Sequence, residues 1–319
     1  MSVATAEKTV SAALHRTGAI LAALLLTVCP LAAAQDQVAD DEAAAAGEAE
    51  TPVDAPVQRV FIRSAADSGA LAQQYPHLAV WLEPEDAPRV LGLVERETTA
   101  RPSGALLILA GEGQSANDGL LEGLRSRLSK AGWAVMTLGL EQPSPSLQIA
   151  RERRASEPAS GEEDTEAVEP VMIDVNDQAA RDLLEAHREA LDGRLAAAVA
   201  WFTEREYQQV VLVGVGRGAD DVRAFLPEAP AAVRRAAWIA ADFGGQSPAD
   251  IVGAAEDGQG VPVLDLYSSR GASPPARLAA FRRSGVRSYE AQAVPVPERP
   301  AGRDAGIIAN RLLGWLSPD

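Results

Sequence analysis

The residues best spaced for chemistry are Gly214-Val215-Gly216-Arg217-Gly218. They follow the apolar run Val210 to Val213 and precede Asp220 to Leu226, which reads as a helix. This pattern predicts a buried strand, a very tight turn and a helix. In acyl-transfer enzymes a Gly-x-Ser-x-Gly turn of this kind holds a serine oxygen above the sheet. Here the flanking glycines are in place and the serine position holds Gly216. Glycine accepts the positive φ such a turn imposes, but it has no side-chain atom to attack a carbonyl.

The rest of that chemistry needs an acid after a later strand and a histidine near the end of the chain. The three histidines are His15, His77 and His187, and none follows the turn. His187 falls on the apolar face of a helix, where a histidine is expected to be packed rather than catalytic. Asp265 lies within a late strand, a few residues before the place an acid would occupy, and Asp242 at the end of the preceding strand is an equal candidate. Ser115, Ser268 and Ser269 would be nucleophiles only with a base from elsewhere. What remains is a binding crevice at the carboxyl ends of the strands. Its candidate residues are Gly113, Gln114, Ser115, Gly216, Arg217, Gly218, Asp242, Asp265, Tyr267 and Arg270. The Arg217 and Gly218 amides open a helix and suit an anion, with Arg217 and Arg270 as reinforcing charges or as plain surface residues.

A second reading of the same stretch is a dinucleotide fingerprint, Gly214-x-Gly216-x-x-Ala219, with Asp242 at a suitable distance for a ribose contact. Several strands precede it, whereas the fingerprint normally opens its fold. No cofactor or metal is expected. The single cysteine, Cys29, lies near the start, and no Cys/His cluster exists.

The elements that must position this turn follow from periodicity. His77–Glu83 and Arg89–Arg96 read as strands joined by the Pro84–Pro88 turn, an antiparallel hairpin. Ala105–Ala110 is apolar throughout, as in a strand buried on both faces. Leu120, Leu121, Leu124 and Leu128 mark a helix, Gly132 ends it, and Trp133–Leu140 is the next strand. This is a parallel β-α-β unit with a right-handed crossover. Residues 141–177 carry Pro143, Pro145, the Arg151–Arg154 cluster and Gly161–Asp164, with no apolar face. They read as a disordered insertion, either a tolerated surface loop or a lid or partner arm. A long helix is expected over Gln178–Glu204, with Leu184, His187, Leu191, Leu195, Val199 and Phe202 on one face. Strands Ala236–Asp242, Val261–Tyr267 and Arg287–Val294 follow, with a helix capped by Ser273 and a last helix capped by Asp304.

The start of the chain reads as a secretory signal over residues 1–34. It has a weakly basic opening (Lys8, His15, Arg16), an apolar run from Gly18 to Val28 and a small-residue site at Ala32-Ala33-Ala34. The run falls short of the about 20 apolar residues that span a bilayer. Val28 and Pro30 flank Cys29 where lipid attachment wants small residues. Residues 35–58 are an acidic, Ala- and Pro-rich tether expected to be disordered. Export, most naturally to a periplasm, is the expectation, with one domain over 59–319. The formal charge of −16 becomes −17 once Lys8, Arg16 and Glu7 leave. Such a surface disfavours nucleic acid and anionic membranes, and no later segment is apolar enough to be a transmembrane helix.

A hairpin followed by alternating strands and helices, with a glycine turn in mid-chain and a terminal helix, resembles an α/β-hydrolase from about residue 77 to 318. Gly132-Trp133, Gly214–Ala219 and Val261–Tyr267 are most similar to an exported bacterial family of unknown function (domain of unknown function 3530). The resemblance implies an α/β fold with a mostly parallel central sheet, an N-terminal antiparallel hairpin and helices on both faces. With Gly216 in place of serine, it implies a non-catalytic binding or scaffold protein of the cell envelope. Its partner would be a small molecule or an envelope protein. A serine esterase or peptidase with rearranged catalytic residues is the alternative, and a dinucleotide-binding module the third.

Overall fold

The computed structural model describes residues 68–85, 87–156, 175–257, 260–271 and 274–317. The expected signal and tether, the remainder of the 141–177 segment and Ser273 lie outside the described residues.

Eight strands form one sheet: β1 (Ala79–Leu82), β2 (Val90–Glu95), β3 (Gly104–Glu112), β4 (Trp133–Leu140), β5 (Val210–Val215), β6 (Val233–Ile239), β7 (Val263–Ser268) and β8 (Tyr289–Val294). Their order is β1-β2-β4-β3-β5-β6-β7-β8. β1 and β2 pair antiparallel, as do β2 and β4, and all later pairings are parallel. The hairpin and the parallel body match the expectation from sequence. β5, which leads into the glycine turn, sits mid-sheet between β3 and β6.

The central strands are apolar on both faces because both faces are covered. Along β3, Ala105, Leu107 and Leu109 join one core cluster, while Leu106, Ile108 and Ala110 join the other. The second face is covered by α2 (Gly119–Lys130) and α8 (Ala305–Leu316) through Leu120, Leu124, Leu128, Ile308 and Leu312. The first is covered by α4 (Val175–Thr203), α5 (Gly218–Phe225), α6 (Pro248–Asp257) and α7 (Pro274–Ser284), through Leu195, Phe202, Val222, Ile251 and Phe281. A short helix, α1 (Ser68–Gln74), lays Leu71 and Ala72 on Leu91 and Leu93 of the hairpin.

Three expectations are corrected. The 141–177 segment is not disordered throughout, because Pro145–Ser156 forms a helix, α3. Leu147 and Ala150 are its buried residues, and Arg151 beside them is half-buried in an ion pair with Glu112. With one basic residue turned inward, the helix has an inner face that apolar periodicity does not register. The strand expected to reach Asp242 ends at Ile239, because Ala240 turns left-handed at φ 49° and the chain leaves the sheet. Asp304 does stand before the last helix, but its Oδ2 accepts the Ala301 amide at 2.9 Å rather than a helix amide.

Candidate functional site

The turn after β5 is built like a nucleophile elbow in every respect but the nucleophile. Gly216 has φ 54°, the left-handed region that an L side chain enters only at a cost. Its amide bonds Ile239 O and its carbonyl accepts the Asp242 amide, both at 2.9 Å, so the turn is pinned to the end of β6. The flanking glycines answer to packing. A Cβ at Gly214 would stand 2.6 Å from the Ala219 nitrogen, and one at Gly218 would run into the Ala110 carbonyl. At Gly216 the space is open, with Gly111 Cα the nearest atom to a Cβ at 4.0 Å. The fold therefore needs glycine at 214 and 218 for contact, and favours it at 216 only through φ.

Above the turn lies a crevice of ≈ 760 Å³ at the carboxyl ends of the strands. Of the residues singled out in the sequence, Gln114, Gly216, Arg217, Asp242 and Tyr267 line it. Gly113, Ser115 and the exposed Arg270 do not. Gly214 and Gly218 shape the turn from below. Glu112, Gln142, Arg277 and Glu298–Pro300 also line the crevice and had no signal in the sequence. They come from strand ends, a helix and a late loop that only the fold brings together. Asp242 is largely exposed, its Oδ1 accepting the Gly244 amide at 2.9 Å.

Asp265 is corrected from crevice residue to core residue. It is fully buried, and its Oδ2 accepts Arg277 Nε at 2.7 Å and Tyr289 Oη at 2.6 Å, with Arg277 Nη2 also 2.6 Å away. Trp238, Phe243 and Phe281 pack around this group, with the Arg277 guanidinium 5.0 Å over the Phe243 ring and Phe281 stacked on Tyr289. Burial, the largest single influence, opposes the charge on Arg277, yet Asp265 and Tyr289 together outweigh it and raise its pKa. Burial first, then Asp265, raises the pKa of Tyr289. Asp265 thus neutralises a buried arginine and fixes the guanidinium of this crevice-lining residue from behind.

No histidine follows His187 in the sequence, so the loops after β7 and β8 carry none. The loops after β7 and β8 present Ser268, Gly271, Glu298, Arg299 and Pro300. Ser268 Oγ donates to Val296 O at 2.6 Å and accepts the Arg270 amide at 3.1 Å, so its hydroxyl is committed. His187 does not line the crevice but meets Arg151 Nη2 at 3.2 Å, and Arg151 pairs with Glu112 at the crevice lip. It is half-buried against arginine rather than packed in apolar core, which corrects the sequence expectation. Burial, then Arg151 and Arg194, push its pKa down to about 4, so it is neutral at pH 7 and a weak base. Near this cluster Asp221 is pushed up to about 7 by burial and then by Asp220. Among the described residues no group of His, Cys, Asp and Glu could hold a metal ion. Nor is any described helix long and apolar enough to cross a membrane.

Dienelactone hydrolase from Anabaena variabilis is similar at 15% identity and a TM-score of 0.49, over 74% of this chain and 94% of that one. The esterase domain of a Rhodothermus marinus protein is similar at 13% identity and 0.47, over 74% and 96%. Est1E from Butyrivibrio proteoclasticus is similar at 7% identity and 0.49, over 75% and 97%. No curated protein matches the sequence. The model of a family described as "Protein of unknown function (DUF3530)" matches residues 19–318. With a mostly parallel eight-stranded sheet and a glycine elbow after its fifth strand, this chain has an α/β-hydrolase-like fold and belongs to the DUF3530 family.

Proposed function

We propose that this protein is a catalytically silent α/β-hydrolase-like binding protein of the cell envelope, which uses the crevice over the elbow to hold a small ligand. The observation that carries the reading is Gly216: the elbow backbone is intact, and the atom that would attack is absent. The loops after β7 and β8 support it, because they bring no histidine to the crevice. The envelope location rests on the signal-like sequence of residues 1–34.

The competing reading is a serine hydrolase with rearranged groups. Against it, the Ser268 hydroxyl is held by two backbone partners and Ser115 does not line the crevice. The dinucleotide reading weakens because β5 is not the opening strand of the fold and sits mid-sheet after four others in the chain. The deciding experiment is hydrolysis of short- and medium-chain p-nitrophenyl esters beside fluorophosphonate labelling. Inert, unlabelled protein is expected. Turnover above buffer, or a labelled serine, would sink the proposal. Fractionation of the expressing cell tests location, and retention in the cytoplasm would overturn it.

A further inference from the structure

Resting on that reading, we infer that the crevice takes a small organic anion. Its carboxylate or phosphate head would sit beside Gly216, on the Arg217 and Gly218 amides and between the Arg217 and Arg277 guanidinium groups.

The donors that are not already spent identify the ligand. Arg277 is 7% exposed, and it lines the crevice. Its Nε and Nη2 are held by Asp265, while Nη1 has no hydrogen-bond partner among the described residues. A nine-tenths buried guanidinium with one unspent edge is an expensive group to leave unmatched. Arg217 is similarly placed. No hydrogen bond to a described residue holds its guanidinium, and its nearest carboxylates are Asp220 at 3.8 Å and Asp242 at 4.0 Å. It packs on Gly244, where a Cβ would come within 2.6 Å of the guanidinium carbon, so the absent side chain there leaves room for it. The Arg217 and Gly218 amides open α5 and meet no backbone acceptor among the described residues.

The acids around the crevice are better matched. Glu112 pairs with Arg151, and Asp220 is bonded by Arg223 and Gln246. Asp242 Oδ1 accepts the Gly244 amide. Among the described crevice-lining side chains only Glu298 offers a carboxylate bonded to no described residue, against unspent donors on Arg217, Arg277 and Arg299, a balance that suits an oxyanion rather than a cation. The missing Gly216 side chain supplies the room, since only Gly111 Cα comes as near as 4.0 Å to where a Cβ would stand. The position that would carry an attacking atom in an enzyme is here space for the ligand's own head group.

The test is calorimetric titration of the purified protein with benzoate, octanoate and phenyl phosphate, with benzyl alcohol and benzylamine as neutral and cationic controls. Saturable binding of at least one anion and none of the controls is expected. The tighter of benzoate and phenyl phosphate identifies the head group. Arg217→Gln should weaken that binding by about tenfold through loss of a charge-assisted donor. Gly216→Asn should weaken it as much, because asparagine tolerates the left-handed turn while filling the head-group space. Because Arg277→Gln alone strands Asp265, its contribution is read in the Arg277→Gln/Asp265→Asn pair, which should also weaken binding. If no anion saturates, if benzyl alcohol binds as well, or if Arg217→Gln and Gly216→Asn bind like wild type, the inference is wrong. The ester assay separates the two proposals. Inert protein that binds no anion overturns this inference and leaves the silent reading standing. Turnover inhibited competitively by benzoate or phenyl phosphate does the reverse.

Discussion

The elbow and the two loops facing it are fixed by different things. The elbow keeps its backbone: the positive φ of Gly216, the bonds to Ile239 and Asp242, and the close approaches at Gly214 and Gly218 all remain. Across the crevice, the loops after β7 and β8 present Ser268, Gly271, Glu298, Arg299 and Pro300, side chains held by no such close backbone packing. The difference teaches that this turn is demanded by packing and the catalytic side chains are not. Gly218 presses on β3 and Gly214 on α5, so the turn cannot relax without disturbing a neighbouring strand and helix. A nucleophile or a general base touches little else, and its loss costs the fold almost nothing.

The sharpest way to break this comparison is to treat the three elbow glycines alike. Gly214→Ala and Gly218→Ala should each destabilise by about 3 kcal/mol or more, because the added methyl meets backbone that has no room to move. Gly216→Ala should cost only about 1 kcal/mol, the strain of a left-handed L residue. Urea unfolding of the three variants measures this, and equal losses would show that position 216 is as packed as its neighbours.

A comparable effect is expected at the buried pair behind the crevice. Arg277→Leu should destabilise by about 3–5 kcal/mol, because Asp265 is left charged and alone in the core. Adding Asp265→Leu should restore much of that loss. A double variant no more stable than the single would show that Arg277 matters for something other than neutralising Asp265. Thermal denaturation of the two variants and wild type decides it.

Smaller, and of opposite sign, are the two titrating groups near the crevice lip. Asp221 has a folded pKa near 7 against an ordinary 3.8, so between those values the native state holds a proton the unfolded chain has lost. Its contribution to stability therefore falls as pH rises through that window. Asp221→Asn should stabilise the protein at pH 8 and change little near pH 4. His187 runs the other way. With a folded pKa of about 4 against 6.5, the unfolded chain takes up the extra proton, and stability is lost as pH falls from 6.5 towards 4. His187→Gln should flatten that acid limb. Urea midpoints across pH 4–8 test both, and parallel profiles would refute the assigned burial of these groups.

The smallest effect concerns chemistry. Gly216→Ser restores an elbow serine, yet ester hydrolysis should stay at background, because no described residue stands ready to take its proton. Turnover by this variant would mean that a crevice carboxylate, Glu112 or Glu298, serves as base.

Much of this was legible from local pattern. The cores of β3 and β5 announce themselves as unbroken apolar runs, as expected of strands covered on both faces. The elbow glycines and the absence of histidine after His187 need no coordinates. Tertiary structure alone decided which residues meet. Asp265 reads like a relic acid until Arg277 and Tyr289, 12 and 24 residues on, are seen to enclose it. Arg151 reads as part of a solvated cluster until Glu112, 39 residues away in sequence, turns it inward and with it the face of α3. Periodicity records only the apolar share of burial, whereas a charge is buried by finding its partner. That partner is set by how the chain returns across the sheet, which no local spacing encodes.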